Sequence, residues 1–352
     1  MRIEKSILSA KLAKVRMAVP GKALGDGVQG VMFKGGEIMA QNYEIRVVTP
    51  LPTDSLLSET FVLPIKAIDM INSLPDGEVE LLKKDGHIHI ISGQIKSKFA
   101  LIDAGSFNEP KSVKEEKGAF TIDSKKLQEL VLSVLYAAST DGSRPVFCGV
   151  LFDAVGGELN VVALDGFRAA WNKTEFEGEY KFIVPRASLE KLFKMGITGD
   201  VKISIDEKAA VFTSDEYTVY TRLIEGEFLA YRNSFAEYSM KISTNRKFLL
   251  EALGRALICV DTHVKTPVKF CFEDGKLVLS LASSLSDYSE KIEINGNPDD
   301  GLVIGFNAQY LRDAVKSYDS EDVSMEFGSG VQPMTMTDGN LRSLILPVRL
   351  KV

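Results

Sequence analysis

The sequence predicts an α+β protein built as three tandem repeats, each holding two helices among about eight short strands. Two observations carry this expectation. An amphipathic helical segment recurs three times at an interval of 121 to 122 residues, and a second helix followed by a strand recurs upstream of it at nearly the same interval. A third observation, the concentration of positive charge in those helices, bears on what the repeats do.

The downstream segment reads LPIKAIDMINSL from Leu63, VPRASLEKLFKM from Val184 and FNAQYLRDAVKS from Phe306. Pro64 and Pro185 are expected at the first helical position, where the missing N–H costs nothing. Asn307 is the expected N-cap of the third helix. Each helix is followed by strand-like alternation and a turn: GEVELLKKDGHIHII, GDVKISIDEKAAVFT and EDVSMEFGSGVQPMTM. Gly86 and Gly328 fall in two of these turns, where a positive φ is expected. Upstream, helical patterns begin near Ser6, Ser124 and Asn245. Ser124 reads as an N-cap before KKLQELVLSVLYAA, and Thr244 or Asn245 caps RKFLLEALGRALIC. A strand ending in an aromatic follows each helix, reaching Phe33, Phe152 and Phe272. The expected domains are therefore 1–117, 118–239 and 240–352, with the polar stretch from Pro110 to Gly118 as a linker.

A length of 352 residues, 45% hydrophobic and 26% charged, fits two or three globular domains. Apolar runs such as Leu127 to Ala138 are interrupted by polar residues and fall short of the roughly 18 residues that span a bilayer. Met1 to Lys14 lacks the continuous apolar stretch of a signal peptide. Three cysteines with no CxxC pair argue against a disulfide framework and for a reducing compartment, so the expected location is cytoplasmic.

The net charge of −6 is unevenly placed. The six predicted helices (6–19, 64–74, 124–138, 185–195, 244–259 and 307–317) together carry +9, which leaves −15 for everything else. Solvent-facing helices often favour lysine, and that reading competes with a functional one. The functional reading sets all six helices against one anionic partner, with an acidic exterior repelling others. No zinc-finger spacing, basic-zipper heptad or RNP aromatic motif is present, and Trp171 is the only tryptophan. Contact would be with phosphates, independent of base sequence. The candidates are Lys11, Lys14, Arg16, Lys125, Lys126, Arg186, Lys191, Arg246, Lys247 and Arg255.

Residues able to carry chemistry have plainer explanations. His87 and His89 share one face of a strand but lack a third ligand nearby, so no metal is expected. His263 follows Asp261 with no nucleophile tied to it, and Cys148 and Cys271 read as buried thiols in apolar strands. Asp165 beside Arg168 could be a catalytic acid next to a basic group, but a turn after a buried strand explains it equally well. Tyr231 and Arg232 read as structural. Walker A and dinucleotide fingerprints are absent, so no catalytic residue and no cofactor is expected.

Three repeats of this length with basic helices resemble the bacterial DNA polymerase III β subunit family. The strings RPVFCGVLF, ELNVVALDGFRAAW, VPRASLEKL, GEFLAYRN, IGFNAQYLRDAV and LILPVRL match family patterns in order. The resemblance implies a clamp fold, a head-to-tail homodimer of six domains closed around double-stranded DNA, and helices lining the hole. It also implies a peptide cleft that receives the replicative polymerase, the clamp loader and repair proteins. Carried over residue by residue, that cleft comprises Phe147, Leu164, Gly166, Phe167, Arg168, Ala169 and Leu229. From the third repeat it adds Asn307, Tyr310, Val331, Pro333, Leu344, Leu346, Pro347, Val348 and Arg349.

This chain departs from the pattern at Phe167, where histidine is common, at Leu164, where threonine is common, and at Asn233, where arginine is common. Lys351 and Val352 extend past the usual terminal Leu350, and Lys22 is the nearest substitute for a DNA-touching arginine between Gly21 and Gly30. The departures imply a more apolar groove and leave both a chromosomal clamp and a phage or mobile-element paralogue open. Two rivals remain: a triplicated ligand-binding scaffold, and a hydrolase or transferase built on Asp165 and His263.

Overall fold

The computed structural model describes residues 1–21, 29–52, 59–107, 117–260, 266–283 and 286–350. The first repeat contains β1 (Arg2–Glu4), α1 (Lys5–Val15), β2 (Gly30–Lys34), β3 (Glu37–Gln41), β4 (Ile45–Pro50) and β5 (Phe61–Pro64). It closes with α2 (Ile65–Ser73), β6 (Glu78–Lys84), β7 (His87–Ser92) and β8 (Ile95–Ala100). The second follows the same order: β9 (Gly118–Asp123), α3 (Ser124–Leu135), β10 (Gly149–Val155), β11 (Glu158–Leu164), β12 (Arg168–Glu175) and β13 (Tyr180–Pro185). Then come α4 (Arg186–Lys194), β14 (Asp200–Ile205), β15 (Ala209–Thr213) and β16 (Thr218–Arg222). The third has β17 (Met240–Asn245), α5 (Arg246–Ile258), β18 (Val268–Glu273), β19 (Lys276–Ala282), β20 (Asp287–Glu293), a two-residue β21 (Asn295–Gly296) and β22 (Val303–Phe306). It ends with α6 (Ala308–Lys316), β23 (Asp322–Phe327), β24 (Met334–Asp338) and β25 (Leu341–Ile345).

The helices bury matching positions. Leu8, Leu12 and Val15 of α1 correspond to Leu127, Val131 and Val134 of α3 and to Leu249, Leu253 and Ala256 of α5, all buried. In the second helix of each repeat, Ile68 and Ile71, Leu189 and Leu192, and Leu311 and Ala314 play that part. Asn245 and Asn307 cap α5 and α6, each accepting two backbone N–H groups on its side-chain oxygen. Ser124 is not the cap of α3. Asp123 is, its Oδ1 accepting from the N–H of Lys125 and Lys126 at 3.0 Å, while Ser124 is buried as the first helical residue. A carboxylate accepts more strongly than a hydroxyl, and the helix begins one residue earlier than the pattern suggested. Pro64 likewise sits at the N-cap in extended conformation, outside the first turn. Helix α1 stops at Val15 and tightens into a 3-10 turn over Arg16–Ala18.

The chain divides into two compact units, Met1–Leu127 with Ala187–Leu223, and Gln128–Arg186 with Ile224–Val352. The first holds an eight-stranded sheet in the order β5-β2-β3-β4-β16-β15-β14-β9 and a four-stranded sheet β1-β6-β7-β8. The second holds a nine-stranded sheet β13-β10-β11-β12-β25-β24-β23-β17-β21 and a four-stranded sheet β20-β19-β18-β22. Each large sheet fuses half of one repeat to half of the next. The joints are antiparallel pairs, β4 with β16 (Val47 opposite Val219) and β12 with β25 (Ala169 opposite Leu344).

Cross-strand rings anchor the cores. Phe33 stacks on Phe61 and Phe152 on Phe182, both with centroids 4.9 Å apart, and Phe270 meets Phe306 edge to face. Strand register makes Phe270, and not Phe272, the counterpart of Phe33 and Phe152. Phe33 and Phe152 lie three residues after Gly30 and Gly149, which face Pro64 and Pro185, while Val268 faces Phe306. Gly86 has φ +69° as expected, but Gly328 is not in the left-handed region. A Cβ at Gly328 would lie 2.3 Å from Gln332 Oε1 and 2.7 Å from the Tyr238 ring, so close approach is what selects glycine there. Cys148 lies in a 3-10 turn and is half-buried, its thiol donating to the Asp141 carbonyl at 3.1 Å; Cys271 is half-buried on β18.

Replacing Asn245 by alanine should destabilise the second unit by about 1 kcal/mol, and by glycine only a few tenths, because glycine still suits the cap backbone. Urea unfolding followed by circular dichroism measures both.

Candidate functional site

The β11–β12 turn is three residues long, and its shape follows from two of them. Asp165 Oδ1 accepts the N–H of Phe167 at 2.9 Å and of Arg168 at 3.0 Å, and Gly166 takes φ +91°. A side chain at position 166 would be strained, and the turn that results leaves Phe167 59% exposed. The Phe167 carbonyl accepts the N–H of Leu346 at 2.9 Å, tying the turn to the chain leaving β25. Beneath it, Leu164, Ala169 and Leu344 join Leu151, Val162, Ile183, Phe228, Tyr231 and Phe235 in one buried cluster, with Phe147 and Trp171 packed against it.

Four of the large apolar side chains expected in the cleft are exposed: Phe167, Leu229 (52% exposed), Val331 (81%) and Leu346 (37%). Large apolar groups left exposed suit partner contact, and Leu346 is tied to the Phe167 turn through its backbone N–H. Tyr310 on α6 is half-buried, with its ring centroid 4.3 Å from the Arg168 guanidinium. Val348 N–H donates to the Gly305 carbonyl at 2.8 Å, which sets the terminal segment beside β22. The Asn307 side chain is taken up by capping α6. Pro333 and Pro347 are half-buried and Arg349 is exposed.

The segment before β17 is pinned from below. Tyr231 OH donates to the buried Asp153 at 2.8 Å and Arg232 pairs with the same carboxylate at 3.2 Å. Burial, with the Asp153 hydrogen bond second, raises the Tyr231 phenol well above its ordinary range. Both side chains are thus tied to one carboxylate within the second unit.

The helix cations divide by their partners. Arg16 pairs with Asp69 at 2.5 Å, and Arg255 grips Glu290 with two bonds of 2.6 and 2.8 Å. Lys11 donates to Thr49 Oγ1 (3.2 Å), Lys14 to the Lys194 carbonyl (3.3 Å), Arg186 to the Ala138 carbonyl (2.7 Å) and Arg246 to the Ser320 carbonyl (3.0 Å). Lys126 is half-buried. Lys125, Lys191 and Lys247 make no ion pair or side-chain hydrogen bond with another described residue. Lys22 and His263 lie outside the described residues. Asp165 is bound into its own turn and to Arg168, so it is not poised as a catalytic acid.

Comparison with known proteins now bears on these surfaces. Residues 121–229 match the family model for the central domain of the DNA polymerase III β subunit, and residues 236–349 match that for its C-terminal domain. Together the two matches take in well over half of the chain. The chain belongs to the DNA polymerase III β subunit family.

The β sliding clamp of Streptococcus pneumoniae serotype 4 is 29% identical, with 80% of this chain and 78% of that protein covered. The β sliding clamp of a Synechocystis strain is 26% identical over 98% of each. Among solved structures, a DNA polymerase III β subunit of Eubacterium rectale superposes with a TM-score of 0.92 at 24% identity, covering 99% of this chain and 98% of that one. The Thermotoga maritima subunit gives 0.90 at 23%, covering 99% of each. At such identities the superpositions establish the clamp fold, and the helix and strand order of each repeat agrees with it.

Sequence reasoning missed Asp313 and Tyr136 as partners of Arg168. Arg168 Nη1 bonds Asp313 at 2.7 Å and its guanidinium lies 5.4 Å from the Tyr136 ring centroid. The DGFR turn was visible as a string, but partners 32 and 145 residues away carry no local signal.

Glu290 gives a pH test of the α5 surface. The Arg255 hydrogen bonds hold its carboxyl below the ordinary value of 4.5, opposed in part by burial. A depressed folded pKa stabilises above the unfolded pKa and is lost as pH falls through the folded one. Glu290→Gln should therefore lower the urea midpoint at pH 7 and flatten its decline below pH 4.5.

Proposed function

We propose that this chain works as a DNA sliding clamp: a processivity factor that encircles duplex DNA and tethers the replicative polymerase to it. Its work is mechanical and involves no bond making. Topological linkage converts repeated association into an intramolecular event at high effective concentration, so tight phosphate contacts are unnecessary.

The observation that carries the reading is the pattern of strand joints. In two places the third strand after a repeat's second helix pairs with the third strand after a repeat's first helix: β16 with β4, and β25 with β12. One strand of each kind is left without that joint, β8 and β20, and each is the edge of its four-stranded sheet. Joining β8 of one copy to β20 of another repeats the same device between molecules. Two copies joined head to tail give six repeats in a closed ring and remove the open edges. The exposed side chains bear on the joint: β8 offers Lys96 and Lys98, and β20 offers Asp287 and Glu293, with Lys291 between them paired to Glu273 and Glu293 itself paired to Lys276.

On this reading the domains are 1–117, 118–239 and 240–352, as the repeat spacing supports. The DNA-facing cations are drawn from α1, α3, α4 and α5, with Lys125, Lys191 and Lys247 the least tied to protein groups. Short apolar segments of polymerase, clamp loader and repair proteins dock against Phe147, Phe167, Leu229, Tyr310, Val331 and Leu346. The cytoplasm is the proposed location, in keeping with three cysteines that form no CxxC pair.

Loading the protein onto nicked circular DNA with a cognate clamp loader, then cutting the circle, tests the topology. A ring stays on the circle and is lost from the linear form; equal retention on both would reduce the interaction to charge alone. Sedimentation tests the joint: Lys96→Glu with Lys98→Glu should convert the dimer to monomer, and adding Asp287→Lys with Glu293→Lys should restore it.

A further inference from the structure

The cleft proposed above holds one well-buried charged side chain, Arg168, and its surroundings give it a task other than gripping a partner. Its side chain is only 11% exposed. Nε donates to Asp165 Oδ2 at 3.0 Å and Nη1 to Asp313 Oδ2 at 2.7 Å. The rings of Tyr310 and Tyr136 lie against the guanidinium at 4.3 and 5.4 Å.

The groups that hold Arg168 are themselves held. Asp313 Oδ1 accepts from Gln309 Nε2 at 2.6 Å, one turn back on α6. Tyr136 shares a 2.7 Å hydrogen bond with Ser343 Oγ on β25. Asp165 meanwhile braces the N–H groups of Phe167 and Arg168.

We infer that Arg168 is a positioning residue that locks the Asp165–Arg168 turn to α6 and thereby fixes the exposed Phe167 ring for an uncharged, apolar partner segment. The inference rests on the cleft reading. Two carboxylates already occupy the one guanidinium, so Arg168 has no uncompensated charge to offer an acidic group on the partner. Lysine cannot replace the fork, because a point charge on a flexible stem cannot span two carboxylates in one plane.

The lock can be read without any ligand. With para-fluorophenylalanine placed at position 167 of the full chain, the 19F resonance should be single and narrow. Arg168→Met, Arg168→Lys and the milder Asp313→Asn should each shift or broaden it. Binding is read separately through the fluorescence of Trp171, the one tryptophan, which packs against the buried cluster below the turn. The probes are acetyl-Leu-Phe-amide and the same dipeptide with a free carboxylate.

Arg168→Met should weaken the amide probe by about tenfold, and the carboxylate probe by at least as much, because two uncompensated carboxylates remain. An unchanged resonance in Arg168→Met, or a loss confined to the carboxylate probe, would overturn the inference. The second result would make Arg168 a direct partner ligand. If the resonance responds to the variants while neither probe alters Trp171 in the unmodified chain, the lock stands and the cleft reading fails.

Discussion

Backbone pairing between half-sheets of successive repeats is the constraint on which the rest of this structure depends. A repeat alone has strand edges that must be paired, covered or charged. The joints are made twice in the same way. Asn42 Oδ1 accepts the N–H of Glu44 and Ile45, as Asp165 accepts those of Phe167 and Arg168. Just beyond, Arg222 N–H donates to the Glu44 carbonyl at 3.0 Å and Leu346 N–H to the Phe167 carbonyl at 2.9 Å. The backbone device is common to both units, and the side chains placed on it decide what each joint can do.

Those side chains differ sharply. In the first unit the position matching Phe167 is Glu44, whose carboxylate accepts from Ser188 Oγ at 3.0 Å, with Thr221 donating to Ser188 at 2.8 Å. That cluster is small, polar and internally satisfied. In the second unit an aromatic ring points to solvent and an arginine fills the space beside α6. The third position of the same turn thus holds a carboxylate bound by a hydroxyl once and an exposed aromatic ring once. This explains why a threefold repeat need not carry a threefold binding site.

The repeat itself was legible in sequence because helix-period and strand-period patterns recur over whole elements, where many residues vote together. Errors fell where one atom decides. Ser124 and Asp123 both suit an N-cap, and only the direction of the carboxylate settles it. Gly328 looks like a turn glycine but is selected by the Tyr238 ring arriving from 90 residues away. Phe272 and Phe270 are both buried, and register alone tells which one matches Phe33. The candidate cleft followed from the family resemblance, whereas the two carboxylates around Arg168 depended on long-range packing that no local string encodes.

The distribution of helix charge gains a physical sense from its partners. A cation already donating to a carbonyl, as Arg186 does to Ala138, keeps its full charge but loses the freedom to wrap a phosphate. It contributes to the long-range field and little to short, directional contact. Lysines without such partners, such as Lys125 and Lys247, are the ones suited to labile contacts that exchange with counterions. If the proposed reading holds, cations of both kinds would attract an anionic rod while offering it few deep local minima. Strong bidentate grips at every helix would hold the rod in one register. For a protein retained by closure, weak and interchangeable contacts are the better solution, because affinity for any one phosphate would only slow its movement to the next.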